Sequence, residues 1–294
     1  MNIALTGANG SIGKELIPFL IGLGHNVYRI SSSIPSDGEF YFSYKELIAG
    51  SINVKIDVFF HLASINSNLV EEEINDEVNL TRDMLLSLPS LDCKKLIFFS
   101  SAKVYGDNSF SKVFFSEEDQ LKPICSYGKA KKFSEELIQI ESFRLGIKSI
   151  IFRLPPVFNK LSNSNLGKLI KLSQNKIPLP ILKQGLDNQR SFLSLNNLKA
   201  IIDFALINKE TFFENEIYNS SDSEFISINE LLTEAGNSYI FIIPKTLSNF
   251  FLKLPLIKNL LLKLYGNFVL DNSKLQAVMD VKLKTTHQSI KINS

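Results

Sequence analysis

The chain has 294 residues, 45% of them hydrophobic and 21% charged, with a formal net charge of +2 at pH 7. That is the composition of a globular protein with room for one large domain, or for a large and a small one. A charge so close to balance, with no basic stripe interleaved with aromatics, argues against a nucleic-acid partner. Cys93 and Cys125 stand at no metal-like spacing, and His25, His61 and His287 are scattered, so no disulfide framework, metal site or triad is expected.

The chain opens on a strand pattern, from which no signal peptide and a reduced, cytoplasmic setting are expected. Asn2–Thr6 (NIALT) is an apolar run suited to a buried strand, and TGANGSIG follows with Gly7, Gly10 and Gly13. Ile12, Leu16, Leu20 and Leu23 then recur at helical spacing. Strand, glycine turn and helix in this order predict a dinucleotide site. Gly7 permits the tight turn, Gly10 lets backbone approach a pyrophosphate, and Gly13 allows helix and strand to pack closely. Ser11 and Ile12 complete the turn, where the helix N-terminus offers unpaired N–H groups to phosphate charge. Pro18 inside the helix predicts a bend.

Asn26–Ile30 (NVYRI) reads as the second strand. A carboxylate at its end would bind the adenosine ribose of NAD. Ser31, Ser32 and Ser33 stand there instead, leaving room for a 2′-phosphate, with Arg29 or Lys14 available to supply positive charge. The expected cofactor is NADP or NAD, and the serines favour NADP. A plain serine-rich loop with NAD held elsewhere is the competing reading.

Glu39–Tyr44 suggests a short strand, and Ile56–Leu62 (IDVFFHL) a buried one. Glu71–Ser87 reads as helix, Lys95–Ser101 (KLIFFSS) as strand, Tyr127–Gly146 as a long helix ending at glycine, and Lys148–Leu154 as strand. This alternation predicts an α/β fold of the Rossmann type, a doubly wound and mostly parallel sheet with helices on both faces. A nucleotide-binding domain is expected over 1–156 and a smaller C-terminal substrate lobe over 157–294, interwoven with the main sheet. In that lobe Leu166–Ser173, Asn196–Ile207 and Ile228–Ala235 read as short helices. Leu247–Leu264 is apolar, yet Lys253, Lys258, Lys263 and Pro255 make it a poor membrane span. It reads as a buried or dimer-facing helix pair, or as a basic interfacial helix suited to an anionic membrane surface.

Tyr127 and Lys131 lie four apart at the start of the long helix, so they share a face. A free tyrosine, with a pKa near 10, trades protons poorly at neutral pH. A neighbouring ammonium stabilises the phenolate and lowers that value. Ser101 closes the preceding strand at the sheet edge where ligands sit, and can hydrogen-bond a substrate oxygen. Together these groups can move a proton on or off a sugar oxygen while hydride passes between carbon and nicotinamide.

Nearly the whole chain resembles the extended short-chain dehydrogenase/reductases of the NAD-dependent epimerase/dehydratase branch. Beside the Thr6-led glycine turn, His61-Leu62-Ala63 resembles that family's cofactor-side backbone, which implies contacts from Leu62 and Ala63. Asn79 resembles the asparagine of its central helix, implying a cofactor role. Phe99–Gly106 (FSSAKVYG) and Tyr127–Lys131 (YGKAK) resemble its catalytic segments, implying Ser101, Tyr127 and Lys131 as the catalytic residues. Arg153–Phe158 (RLPPVF) resembles the segment beside the nicotinamide, which brings Pro155 to the cofactor. Asn165, Leu166 and Arg190 resemble the nucleotide-sugar contacts, the arginine on the diphosphate, and Phe268–Leu275 resembles a C-terminal D-x-S-K segment. The resemblance implies a nucleoside-diphosphate sugar, UDP-linked, as substrate, and a homodimer is the expected assembly.

Two departures matter. The family's 4,6-dehydratases carry Asp-Glu where this chain has Ala102 and Lys103, so water elimination lacks its acid and base. The usual L-G-W-x-P appears as Met279–Leu283 (MDVKL). The wording between residues 157 and 192 is most similar to bacterial 4-ketoreductases and epimerases of surface-polysaccharide pathways. The expected reaction is reduction of a 4-keto group on a UDP-linked (6-deoxy)hexosamine, with nucleotide-sugar 4-epimerisation as the alternative. A non-catalytic NAD(P)-binding sensor or interaction protein is the alternative of another class.

Overall fold

The computed structural model describes residues 1–32, 40–65, 68–109, 111, 114–158, 171, 173, 175, 179–182, 186–236, 240–244 and 253–292. In chain order it runs β1 (Asn2–Thr6), α1 (Gly13–Gly22), β2 (Asn26–Ser31), β3 (Tyr41–Ser43), α2 (Tyr44–Ile48), β4 (Val58–His61), α3 (Ile74–Ser87) and β5 (Lys95–Ser101). Next come β6 (Phe114–Phe115), α4 (Ser126–Leu145), β7 (Lys148–Leu154), β8 (Val157–Phe158), β9 (Leu179–Leu182), β10 (Leu193–Ser194) and α5 (Leu195–Ile207). The chain ends with α6 (Lys209–Phe212), β11 (Glu216–Asn219), α7 (Ile228–Glu234), β12 (Ile240–Ile243), α8 (Pro255–Tyr265), β13 (Val269–Leu270), α9 (Ser273–Val278) and α10 (Thr286–Ile292).

Two compact units divide this chain. The first holds Met1–Gly106, Leu121–Arg153 and Ile202–Tyr218, and the second holds Asp107–Gln120, Leu154–Ile201 and Asn219–Ser294. The boundary expected at 156/157 is therefore crossed twice, by the segment that carries β6 and by the one that carries α6 and most of β11.

The first unit is built on a seven-stranded sheet in the order β11-β7-β5-β4-β1-β2-β3. β1 pairs in parallel with β2 on one side and β4 on the other, β2 with β3, and β4 with β5. β4 and β5 read as continuous apolar runs because both their faces are covered, and Phe59, Phe60, Leu96, Ile97 and Phe98 are all fully buried. The helices bury one stripe each: Leu16, Ile17 and Leu20 of α1, and Ile74, Thr81, Met84 and Leu85 of α3. Pro18 is accommodated inside α1. From β1 the chain builds outward to β3 and then crosses back to β4, so the strand order reverses between β1 and β4. In open α/β sheets that crevice, at the carboxyl ends of the strands, is where ligands bind.

Among its described residues the second unit contains three two-stranded parallel pairs, β10 with β8, β12 with β9 and β13 with β6. Its core gathers Phe158, Ile181, Phe192, Ile226, Ile228, Leu231, Leu232, Tyr265 and Ile290, with Leu261 and Leu264 packed against it. Of the stretch Leu247–Leu264, expected as a helix pair, the described part holds α8, whose Leu261 and Leu264 pack against this core, while residues 247–252 lie outside the described residues. Asp222 ties the unit together: its carboxylate accepts from Ser194 N at 2.8 Å, Asn197 Nδ2 at 2.6 Å and Thr286 Oγ1 at 2.9 Å. Met279 and Leu283 of the departing MDVKL segment are both buried.

Candidate active site

The glycine turn is shaped by close approach. Gly7 has φ +75°, and a Cβ there would fall 2.8 Å from Ala63 N and from Leu62 C. A Cβ on Gly13 would sit 2.4 Å from the Gly7 carbonyl oxygen, whereas one on Gly10 would meet only that oxygen, at 3.2 Å. Gly7 is therefore glycine so that β1 and the β4 exit can touch, and Gly13 so that the turn can close. Gly10 leaves its outer side open as a cradle that a side chain would fill, as a pyrophosphate site requires. Gly10 N donates to Gly7 O and Lys14 N to Gly10 O, each at 3.0 Å. Ser11 is exposed, and Ile12 is the N-cap residue of α1 without a side-chain capping bond. This backbone fits a dinucleotide: the open turn and the helix N-terminus would hold the phosphates.

Beneath the turn lies a buried polar chain. Thr6 Oγ1 is 2.8 Å from His61 Nδ1 and accepts from Ala63 N at 3.3 Å. His61 Nε2 is 3.2 Å from Thr81 Oγ1, which in turn is 3.2 Å from Ser134 Oγ. Burial, and then the charge of Lys131, push the His61 pKa down to about 3, so its imidazole is neutral. At the end of β2, Asn9 Nδ2 donates to Ser31 Oγ at 3.0 Å, and Ser31 is buried. Arg29 turns to β3, where Nη1 donates to Tyr41 OH at 2.7 Å and the guanidinium lies 4.8 Å from that ring's centroid.

The two serines that close β5 face opposite ways, as strand alternation requires. Ser100 Oγ donates to Glu135, which also binds Arg153 at 2.7 Å in the core. Ser101 is left half-buried on the other side, its Oγ accepting from Lys103 N at 3.3 Å. α4 starts against this turn because residue 128 is glycine: a Cβ there would lie 2.5 Å from the Lys103 carbonyl oxygen. Cys125 Sγ caps the helix by accepting from Gly128 N at 3.4 Å. Tyr127 is half-buried, packed among Leu69, Ile74, Val78 and Ala130. One turn on, the Lys131 ammonium is buried, 5.8 Å from the Tyr127 ring centroid and 4.9 Å from that of Phe98. The first unit thus brings together the glycine turn, the Leu62-Ala63 backbone, Ser101, Tyr127 and Lys131.

Asn79 is not brought to this cluster. It is exposed on α3 and accepts from Arg82 Nη1 at 2.5 Å. Two residues along a helix turn a side chain about 200° away, so Asn79 lies opposite the face that carries Glu77 and Thr81. Glu77 is the α3 residue that reaches the lysine: its Oε1 is 3.1 Å from Lys131 Nζ, and its Oε2 accepts from Ile65 N at 2.7 Å. Its residue type does not mark it as a site residue, and the signal that does is its place on one helical stripe with Ile74 and Thr81.

In the second unit Pro155 is buried directly after β7. Arg190 Nη1 donates to Lys263 O at 2.7 Å and Leu264 O at 2.9 Å, the last carbonyls of α8, where a cation is favoured. Burial lowers its pKa to about 10. Asn165 and Leu166 lie outside the described residues.

No described helix is long and apolar enough to cross a membrane. Residues 3–220 match the NAD dependent epimerase/dehydratase family. The chain is 25% identical to a UDP-glucose 4-epimerase of Vibrio cholerae over 251 residues, 79% of this chain and 74% of that one. It is 26% identical to a dTDP-4-dehydro-6-deoxyglucose reductase of Escherichia coli over 261 residues, 78% of this chain and 79% of that one. A crystal structure of UDP-N-acetylglucosamine 4-epimerase from Bacillus cereus superposes with a TM-score of 0.78 at 17% identity, covering 99% of this chain and 97% of that one. This chain belongs to the NAD dependent epimerase/dehydratase family, as an NAD(P)-dependent epimerase or reductase of the extended short-chain dehydrogenase/reductase type.

Proposed function

We propose that this enzyme reduces the 4-keto group of a nucleoside-diphosphate sugar, a UDP-linked 6-deoxyhexosamine, in surface-polysaccharide synthesis. The observation that carries the reading is the grouping of Tyr127 and Lys131 with the Ser101 strand end beside a glycine turn suited to a dinucleotide. A nicotinamide cofactor, held with its phosphates over the Gly7–Gly13 turn, would supply the hydride for the carbonyl carbon. Ser101 donates a hydrogen bond to the carbonyl oxygen and Tyr127 gives that oxygen its proton. Lys131 orients the phenol and holds the cofactor ribose. Ala102 and Lys103 follow Ser101, so no carboxylate pair is available there for water elimination. Retention of both Tyr127 and Lys131 speaks against a non-catalytic sensor.

A reductase exchanges its cofactor at every turnover. The end of β2 favours NADP(H), because Ser31 is held by Asn9 and no carboxylate of β2 stands there to engage a ribose hydroxyl. The second reading is a 4-epimerase, supported by the Vibrio cholerae relative, in which the same residues serve and the cofactor is retained. A homodimer is supported by the exposed apolar stripe Phe133, Ile140 and Phe143 on α4. The test is incubation with a UDP-4-keto-6-deoxyhexosamine and NAD(P)H, in parallel with UDP-glucose and UDP-N-acetylglucosamine. Stoichiometric loss of nicotinamide absorbance with the keto-sugar is expected. Inversion at C4 of a UDP-hexose without net cofactor consumption would install the epimerase instead.

A further inference from the structure

The Lys131 ammonium does not face Tyr127 alone. Glu77 Oε1 stands 3.1 Å from Lys131 Nζ, and the side chains of both residues are 1% exposed. Among the described residues Glu77 Oε1 accepts no hydrogen bond, so its contact with Lys131 is an ion pair rather than an aligned bond. The other carboxylate oxygen is fixed by the Ile65 amide at 2.7 Å. Glu77 thereby ties α3 to the loop after β4 and to the lysine of α4.

The surrounding titratable groups are accounted for. On β4, His61 is neutral, held down to about 3 by burial and the Lys131 charge. On α2, Tyr44 is pushed up to about 12, by burial first and the Glu77 charge last, and stays protonated. On α4, Glu135 is committed to Arg153 and Ser100. β5 contributes Phe98 and the Ser101 hydroxyl. At the start of α4, Lys129 is paired with the exposed Glu71 at 2.9 Å, so among the described residues the buried charges nearest Tyr127 are Lys131 and the Glu77 that pairs with it.

We propose that Glu77 is a positioning residue: its carboxylate anchors the Lys131 ammonium and, by opposing its charge, keeps Tyr127 in the protonated form that donates to a carbonyl oxygen. This rests on the reading of Tyr127 as proton donor. An unopposed ammonium beside a phenol stabilises the phenolate and lowers its pKa. A carboxylate in contact with that ammonium leaves a pair with no net charge, whose field on the ring is weaker.

The test needs no substrate, so it stands whether or not the assigned reaction does. Tyrosinate absorbance of cofactor-free protein is titrated for the wild type and Tyr127→Phe, and the difference is the Tyr127 curve. The same pair of titrations is then run in a Glu77→Gln background, which keeps the side-chain shape and an acceptor for the Ile65 amide. Loss of the opposing charge is expected to lower the Tyr127 midpoint by about one pH unit or more, and Glu77→Asp is expected to stay near the wild type. An unchanged midpoint in folded Glu77→Gln overturns the proposal. If Glu77→Gln does not fold, Lys131→Met supplies the converse measurement. Compared with the Lys131→Met/Glu77→Gln double variant it should titrate Tyr127 higher, because only its carboxylate faces the ring, and equal midpoints in the two overturn the proposal.

Discussion

Gly7 and Ala63 meet backbone to backbone: a Cβ on Gly7 would lie 2.8 Å from the Ala63 amide nitrogen, and Gly7 itself holds φ +75°. Two causes therefore require glycine at one residue, the left-handed backbone and the contact with the β4 exit. Gly7→Ala is expected to cost about 1–3 kcal/mol, from the positive φ and the clash together. Gly22, at the end of α1 with nothing within 4 Å of its added Cβ, is the control, and Gly22→Ala should be neutral or slightly stabilising. Urea unfolding of the two variants checks the pair.

Gly10 separates binding from folding. Its added Cβ meets only the Gly7 carbonyl oxygen, at 3.2 Å. Gly10→Val should fold and yet place its branch where a pyrophosphate held by this turn would pass. Calorimetric NAD(P) affinity is expected to fall by about tenfold or more, a change of about 1.4 kcal/mol per decade. Unchanged affinity in the folded variant would sink the placement of the cofactor.

His61 makes stability depend on pH. Its folded pKa of about 3 lies below the ordinary 6.5, through burial and the Lys131 charge. The unfolded chain takes up a proton below 6.5 that the folded protein refuses. The stabilisation is present above that pH and declines by about 1.4 kcal/mol per pH unit below it, until the folded pKa is passed. Replacing His61 with Gln should remove that slope, as read from unfolding at successive pH values. Parallel pH profiles for the two proteins would contradict the assignment.

The buried pair Glu77–Lys131 predicts strong coupling. Removing one partner of a buried ion pair costs about 3–5 kcal/mol, because the other charge is left unpaired. Lys131→Met should be destabilised on that scale, and adding Glu77→Gln should recover part of the loss. A thermal-unfolding double-mutant cycle measures the coupling, and strictly additive losses would deny it.

Much of the first unit was legible because its strands are buried on both faces. β5 and β7 fall on the expected Lys95–Ser101 and Lys148–Leu154, and α4 within a residue of its expected start and end, where Gly146 adopts positive φ. Helix register was harder to read than spelling: Asn79 carries the residue type expected near a cofactor, while the α3 stripe puts Glu77 inside. The second unit was less legible because its pairings join distant short strands. Nothing local in Phe114–Phe115 announces Val269–Leu270 as its partner, since the pair is made by tertiary contact rather than by pattern. Arg190 shows a further limit. Its type suggests an anion contact, and only the fold reveals that one of its nitrogens closes the C-terminus of α8.

In the proposed reaction Tyr127 protonates a sugar carbonyl while hydride arrives from the nicotinamide. Cofactor carrying deuterium at its transferable position tests it most directly, with a UDP-4-keto-6-deoxyhexosamine as acceptor and mass spectrometry of the product. One deuterium is predicted at C4 of the reduced sugar, with turnover at least about 100-fold slower in Tyr127→Phe, the loss expected when acid catalysis is removed. A C4 alcohol formed without deuterium, or a folded Tyr127→Phe enzyme that forms the deuterated product at the wild-type rate, would contradict it.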